Sequence, residues 1–352
     1  MLECEKQNLQ WRWVYTAQHK ETIQATLDAF ELPDPDYTVV HWNTEAKTMG
    51  KIWKWFFKIL WNLPRSKKIL GGYTGKEHIV LTHGDTLTTW LGALMGRLTR
   101  SKVMHVEAGL RSFNMFRPFP EEINRLITFR LANYYACPGD WAVKNLKKYK
   151  GVKINTGQNT QIDTLTYGLE HCERADVKLP KEKYVVVSIH RYENIFKEDR
   201  FEKIIVQLEK VARKFTLLFI QHPATNIQID KLGYRGRLSK NKNIWMLSRQ
   251  EYLPFIKLAK HSEFVIADGG GNQEELYHMG KPTLLFRDET ERQEGLGTTA
   301  VISKLDPKVI NDFTKNYKKY IHEPTANDDS PSVILVKALV DHGFNTKNVV
   351  TD

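Results

Sequence analysis

The chain has 352 residues, 41% of them hydrophobic, with 52 Lys and Arg against 41 Asp and Glu and a formal net charge of +11. That apolar content suffices for two cores, since domains commonly hold about 100–200 residues, and the basic balance favours a polyanion, an anionic membrane surface or a phosphate-bearing small molecule as partner. Cys4, Cys137 and Cys172 lie far apart without CxxC or Cys/His spacing, which argues against a disulfide framework or zinc site, and no apolar run or leader pattern suggests a membrane span or secretion, so a soluble cytoplasmic protein is expected.

In chain order, WVYTA (13–17) reads as a strand. The segment Ala46 to Lys76 follows, with eight Lys or Arg and no acid, interleaved with Trp53, Trp55, Phe56, Phe57 and Trp61. Lys47, Lys51, Lys54 and Lys58 recur at helical spacing beside a wide apolar remainder. The expectation is a helix buried against its own sheet and across a two-fold subunit interface, with the basic stripe facing solvent. The alternative, peripheral contact of residues 51–68 with an anionic bilayer, rests on the same residues.

Strand-like runs then alternate with helical stretches: IVLTHGD (79–85), a helix over Thr86–Leu98, and VMHVEA (103–108). Next comes the loop HVEAGLRSFNMFRPFPEEINR, where Gly109, Pro118 and Pro120 break any helical face before a helix starting near Pro120. The alternation pauses between about Tyr167 and Glu182. It resumes with YVVVSIH (184–190), TLLFIQH (216–222), a helix over Glu251–Lys260, EFVIAD (263–268) and TLLFRD (283–288). This βαβ signature implies parallel sheets buried on both faces, and the pause divides the chain into α/β domains at 1–168 and 169–352.

Ligands of open parallel sheets bind beyond the carboxyl ends of the strands. Those ends carry His83-Gly84-Asp85, Glu107-Ala108-Gly109, His190-Arg191, His222-Pro223, Asp268-Gly269-Gly270-Gly271 and Arg287-Asp288. ADGGGNQEE sets three glycines between a strand and a helix, where backbone N–H groups can approach a phosphate. Neither GxxxxGK[ST] nor a helix-opening GxGxxG is present, so ATPase and dehydrogenase readings lack their fingerprints. Asp85, Glu107 and Glu121, with His190 from the second domain, form a candidate acid–base set, because carboxylates sharing a cleft raise one another's pKa.

Nine segments occur in the order of the non-hydrolysing UDP-N-acetylglucosamine 2-epimerase family: THGDT, HVEAGLRS, PFPEEINR, TGQNTQIDTL, HRYEN, QEYLPF, DGGGNQEE, GKP and RDETERQE. From about Trp11 to Arg292 the chain resembles that family. The resemblance implies two Rossmann-like domains in a GT-B-like α/β fold, with the acid cluster in the first and UDP held by the second. It also implies that the last helix packs back on the first domain and that dimers join through that domain. The implied chemistry interconverts UDP-GlcNAc and UDP-ManNAc by elimination and re-addition of UDP, without metal, nicotinamide or any other cofactor.

By resemblance, Asp85, Glu107 and Glu121 handle protons as a set, undivided between the two faces of C2, and His190 serves the diphosphate. Gly269, Gly270 and Gly271 cradle phosphate, Glu275 accepts the ribose hydroxyls, Gln250 and Phe255 frame the uracil, and Arg292 is a cation near the nucleotide sugar. The sequence departs from the family pattern in three places. The opening strand with its GTRPE-like loop has no counterpart, the usual serine before the phosphate glycines is Gly269, and HRREN is HRYEN with Tyr192. The expected function is UDP-HexNAc 2-epimerisation supplying surface polysaccharide precursors. Alternatives are a modified UDP-HexNAc or glycosyl transfer on the same scaffold, and nucleotide-sugar binding without turnover. No nucleic-acid partner is expected, since the basic residues come without a reader motif.

Overall fold

The structure, a computed structural model, describes residues 1–17, 20–41, 49–115, 120–290, 292–325 and 329–344. The chain forms two compact units, Met1–Asp163 with Asp328–Asp352, and Thr164–Asn327. The boundary anticipated after residue 168 falls inside the helix Gln161–His171. The division comes earlier because Leu165, Leu169 and Cys172 already pack in a core of the second unit.

In the first unit, β1 (Val14–Tyr15) and β2 (Tyr37–Thr38) pair in parallel as a small sheet. A second parallel sheet orders β3 (Ile79–His83), β4 (Lys102–Val106), β5 (Tyr134–Cys137) and β6 (Val152–Asn155) side by side. Successive strand residues point to opposite faces, and both faces are covered. Val103, Tyr135 and Cys137 pack with Ala93 and Phe129 from the helices Leu87–Leu98 and Glu121–Leu131. Met104, Val106 and Ala136 pack with Leu335, Val336 and Leu339 of the helix Pro331–Asp341.

The second unit holds one six-stranded parallel sheet of β7 (Tyr184–Ser188), β8 (Thr216–Gln221), β9 (Ile244–Ser248), β10 (Val265–Ala267), β11 (Thr283–Leu285) and β12 (Ala300–Ile302). Their order across the sheet is β9-β8-β7-β10-β11-β12, the 3-2-1-4-5-6 arrangement of a doubly wound nucleotide-binding sheet. Val185, Val187, Leu217, Phe219 and Ile266 fill one face and Val186, Leu218, Ile220, Val265 and Ala267 the other. Such continuous apolar strands are what a sheet covered on both sides requires.

The basic aromatic segment forms the helix Met49–Asn62, one face of which packs on the chain's own core. Trp55 and Ile59, four residues apart, are fully buried, and Trp55 Nε1 donates to Thr16 O at 2.8 Å. Phe56 is half-buried against Trp90, with ring centroids 5.8 Å apart. Trp53, Phe57 and Trp61 are exposed on the chain, because a helix with one face on a core must turn the residues a half-turn away outward.

Phe219 lies fully buried in β8, between β7 and β9. Truncation to Ala is expected to cost about 3–5 kcal/mol, the transfer term plus the cavity left behind, read as a lowered urea midpoint in circular dichroism.

Candidate active site

In a doubly wound sheet the connections leaving the two middle strands run to opposite faces, and a crevice opens between them. Here those strands are β7 and β10. β7 is followed by His190 and Arg191, and β10 by Asp268, Gly269, Gly270 and Gly271. Asp268 is fully buried. Its carboxylate accepts the His190 N–H at 3.0 and 3.1 Å, the Arg191 N–H at 2.9 Å and Asn194 Nδ2 at 2.8 Å. A buried carboxylate is tolerable only with such donors, so the side chain ties the two loops together. Asn194 extends the tie by donating to Phe286 O at 2.9 Å and accepting from Arg200 Nε at 2.6 Å.

The helix Gly270–His278 begins directly after this clamp, with Gly269 as its N-cap. Its first-turn N–H groups and the positive end of its dipole favour an anion. A Cβ at Gly269 would stand 3.0 Å from His190 Cε1 and 3.4 Å from His190 Nε2. The glycine at the family's serine position therefore lets the imidazole sit against the turn. That ring also packs on His222, centroids 4.2 Å apart. Burial, then the fields of His190 and Arg249, push the His222 pKa from 6.5 down to about 4.

Farther along the same helix, Glu275 is buried near Tyr252, whose hydroxyl pKa is raised by burial first and then by this carboxylate. Glu274 pairs with Arg292. Gln273 donates to Arg292 O at 3.2 Å and Glu294 O at 2.8 Å and accepts from Thr290 Oγ1 at 2.8 Å. Gln273 and Glu274, which sequence reasoning passed over, thus fix the loop that carries Arg292. Gln250 follows β9 and donates to Ser248 O at 2.9 Å, while Phe255 is half-buried in the helix Tyr252–His261.

The carboxylates of the first unit sit at another strand-end rim. Asp85 follows β3, accepts from Arg125 Nη2, and has its carbonyl held by Asn124 Nδ2 at 2.8 Å. Glu107 follows β4 with φ +64°, the left-handed region that ordinary side chains avoid. Such strain collects at functional sites. Its Oε1 accepts from Asn159 Nδ2 at 2.6 Å, and its Oε2 lies 4.0 Å from His83 Nδ1. Gly109 has φ +91°, and a Cβ there would stand 2.3 Å from Ala142 O. Asp85 and Glu107 are neighbours through the paired strand ends, where Gly84 N–H donates to Val106 O at 3.1 Å. Glu121 opens the helix Glu121–Leu131 one turn before Arg125, and its Oε2 is buried with no hydrogen-bond partner among the described residues.

Glu122, adjacent in sequence, has a different task. It is fully buried and binds Arg111, the Ser112 N–H at 3.1 Å and Arg125 Nη1 at 3.4 Å. Burial opposes its ionisation, but the bonds from Arg111 and Ser112 and the fields of Arg111 and Arg125 outweigh it, so its pKa lies below the ordinary value. Arg111, Glu122 and Arg125 were legible only as charges. Their distribution between loop and helix is what anchors the residues after β4.

The fold defines an α/β protein with Rossmann-like parallel sheets. A sequence model of the UDP-N-acetylglucosamine 2-epimerase family matches residues 2–331, and the chain belongs to that family. A UDP-N-acetylglucosamine 2-epimerase of Neisseria meningitidis serogroup A is 31% identical, over 97% of this chain and 94% of the relative. That of Bacillus subtilis is 32% identical over 94% and 87%. A crystal structure of the Neisseria meningitidis enzyme bound to UDP-GlcNAc covers 97% of this chain and 94% of its own, with a TM-score of 0.76 and 28% identity. The Methanocaldococcus jannaschii enzyme in complex with UDP-GlcNAc and UDP has the same coverages and TM-score at 25% identity.

His105 is fully buried in β4, with its Nε2 2.7 Å from Gly84 O. Burial first, then the charges of His83 and Arg125, lower its pKa from 6.5 to about 4, although the Gly84 bond works the other way. Between those values the unfolded chain binds a proton that the folded one refuses, so stability falls as pH drops from 6.5 to 4. The loss at His105 approaches about 3 kcal/mol. Urea midpoints at pH 7 and near pH 4 should show it, and His105→Gln, which retains a donor for Gly84 O, should flatten the dependence.

Proposed function

We propose that this chain interconverts UDP-N-acetylglucosamine and UDP-N-acetylmannosamine, supplying the latter for surface polysaccharide precursors. The observation that carries the reading is the β7/β10 crevice, where His190 and the start of the Gly270–His278 helix offer N–H groups and an imidazole to a diphosphate. Family membership supports the sugar and the reaction type. The identity of the acids supports the chemistry, because the C2–H bond is weakly acidic and needs a placed base.

In this mechanism a carboxylate of the set Asp85, Glu107 and Glu121 takes the C2 proton. The C1–O bond breaks, its electron pair leaves with UDP, and a 2-acetamidoglucal remains. UDP then adds back at C1 while a proton returns to the opposite face of C2, so the net change is inversion at C2 alone. Glu121 Oε2, buried and without a hydrogen-bond partner among the described residues, is placed to exchange a proton. Asp85, held by Arg125, and Glu107, held by Asn159, are the oriented members. His190 and the N–H groups at Gly270 and Gly271 stabilise charge on the departing diphosphate. Glu275 accepts the ribose hydroxyls, Gln250 and Phe255 flank the uracil, and Arg292 neutralises phosphate after exchanging its contact with Glu274.

Incubation with UDP-GlcNAc in D2O should place deuterium at C2 and yield UDP-ManNAc without added metal or NAD. Glu121→Gln and Asp85→Asn should each slow exchange by about 100-fold or more, the usual worth of a general acid or base, while calorimetric UDP affinity stays within a few-fold. Exchange on another UDP-HexNAc alone would move the substrate. UDP binding without any exchange would refute turnover.

Glu275→Ala should act in the opposite way, weakening UDP by about tenfold through loss of a charge-assisted hydrogen bond. Unchanged UDP affinity in that variant would displace Glu275 from the ribose.

A further inference from the structure

The segment GKP, residues 280–282, belongs to neither rim. It leads into β11 as Ser262 and Glu263 lead into β10, so it lies at the amino end of the sheet, opposite the strand end that carries Asp268. There the second unit holds a cavity of about 410 Å³, within the roughly 300–1,000 Å³ of small-molecule sites. One wall is a fixed turn. Gly280 takes φ +64° and leaves no room for a Cβ against His322 O. The His322 N–H donates to Gly280 O at 3.1 Å and the Thr325 N–H to His278 O at 2.9 Å, which holds the chain after the turn Tyr317–Tyr320 beside the cavity.

Lys281 sets the chemistry of this space. Its Nζ donates to Lys260 O at 2.9 Å and Ser262 O at 2.7 Å, at the end of the helix Tyr252–His261. An ammonium has three donors. Among the described residues the third is unspent, and no carboxylate forms an ion pair with it. Desolvation pushes the Lys281 pKa from 10.5 to about 8, although the field of Glu263 works the other way, which marks a cation short of counter-charge. The neighbouring acids are engaged elsewhere. Glu263 accepts from the Tyr317 hydroxyl, and Glu173 takes Lys260 at 3.0 Å.

The rest of the lining is largely apolar, with Leu169, Met279 and Ile321 among its walls and His322 at its edge. Ile321 is 56% exposed. Inorganic phosphate would answer the charge and leave these walls wet, whereas a neutral apolar molecule would leave the ammonium uncompensated. A carboxylate with a short apolar flank answers both.

We propose that this cavity binds a small organic carboxylate, its oxygens on the Lys281 ammonium and its apolar part against Leu169, Met279 and Ile321. The proposal stands apart from the epimerase reading, because the cavity shares no residue with the nucleotide crevice.

The test is titration of the full chain with hexanoate, hexylammonium and inorganic phosphate, followed by saturation-transfer NMR and calorimetry. Hexanoate is expected to bind at least about tenfold more tightly than either of the others. Lys281→Met should weaken hexanoate by about tenfold or more. Because Lys281 also holds the end of a helix, a second variant, Ile321→Asp, sets a like charge on an exposed part of the wall. It should weaken hexanoate comparably while the urea midpoint stays that of the wild type. No hexanoate binding, hexylammonium binding as tightly as hexanoate, phosphate binding as tightly as hexanoate, or wild-type hexanoate affinity in folded Ile321→Asp would overturn the proposal.

Discussion

The second unit depends on one buried carboxylate. Asp268 ends β10 and gathers donors from His190, Arg191 and Asn194, all of which follow β7. Those strands pair directly at the middle of the sheet, but their loops depart in different directions, so nothing in the strand ladder fixes one loop against the other. The Asp268 bonds do. They position the imidazole, orient the residues that open the Gly270–His278 helix, and through Asn194 and Arg200 reach Asp288, which Arg200 Nη1 binds at 2.9 Å. Removing that charge would leave several buried N–H groups without an acceptor, each at a cost of about 1–3 kcal/mol.

The first unit uses the same device for a different end. Glu122 is a buried carboxylate whose bonds to Arg111 and Ser112 hold the segment after β4, and its bond to Arg125 joins that segment to the side chain gripping Asp85. The mixture of acids, arginines and glycine in HVEAGLRSFNMFRPFPEEINR thus separates into two populations. Glu122, Arg111 and Arg125 build the loop, while Glu121 keeps a carboxylate oxygen without a hydrogen-bond partner among the described residues. Neighbours on a helix are turned about 100° from one another, which is how two adjacent glutamates come to have unlike surroundings. Glu107, directly after β4, holds a left-handed backbone conformation, a strain of the kind that gathers at functional sites.

Much of this was legible in the sequence where local pattern and global fold agree. YVVVSIH and TLLFIQH are apolar runs because both faces of the sheet are covered, and β7 and β8 lie within them. β5 and β6 escaped because YYAC and VKIN are short, and Tyr134, Lys153 and Asn155 interrupt the apolar run. The aromatic segment read as a helix, but periodicity could not tell that Trp53 and Trp61 would face outward while Trp55 met Thr16. Asp268 could be seen as a strand-end acid. Its clamp could not, since its donors lie 74–78 residues away in sequence. Long-range hydrogen bonds leave no periodic trace, and the same holds for Arg125 and Asp85, 40 residues apart.

Titration calorimetry of UDP binding to Asp268→Asn, with circular dichroism verifying the fold, tests whether the Asp268 clamp builds the proposed nucleotide site. The substitution preserves shape but puts an NH2 group in place of one accepting oxygen, against the N–H groups of His190 and Arg191. The expected result is a folded protein of lowered stability that binds UDP at least about tenfold more weakly. A folded variant with wild-type UDP affinity would contradict it.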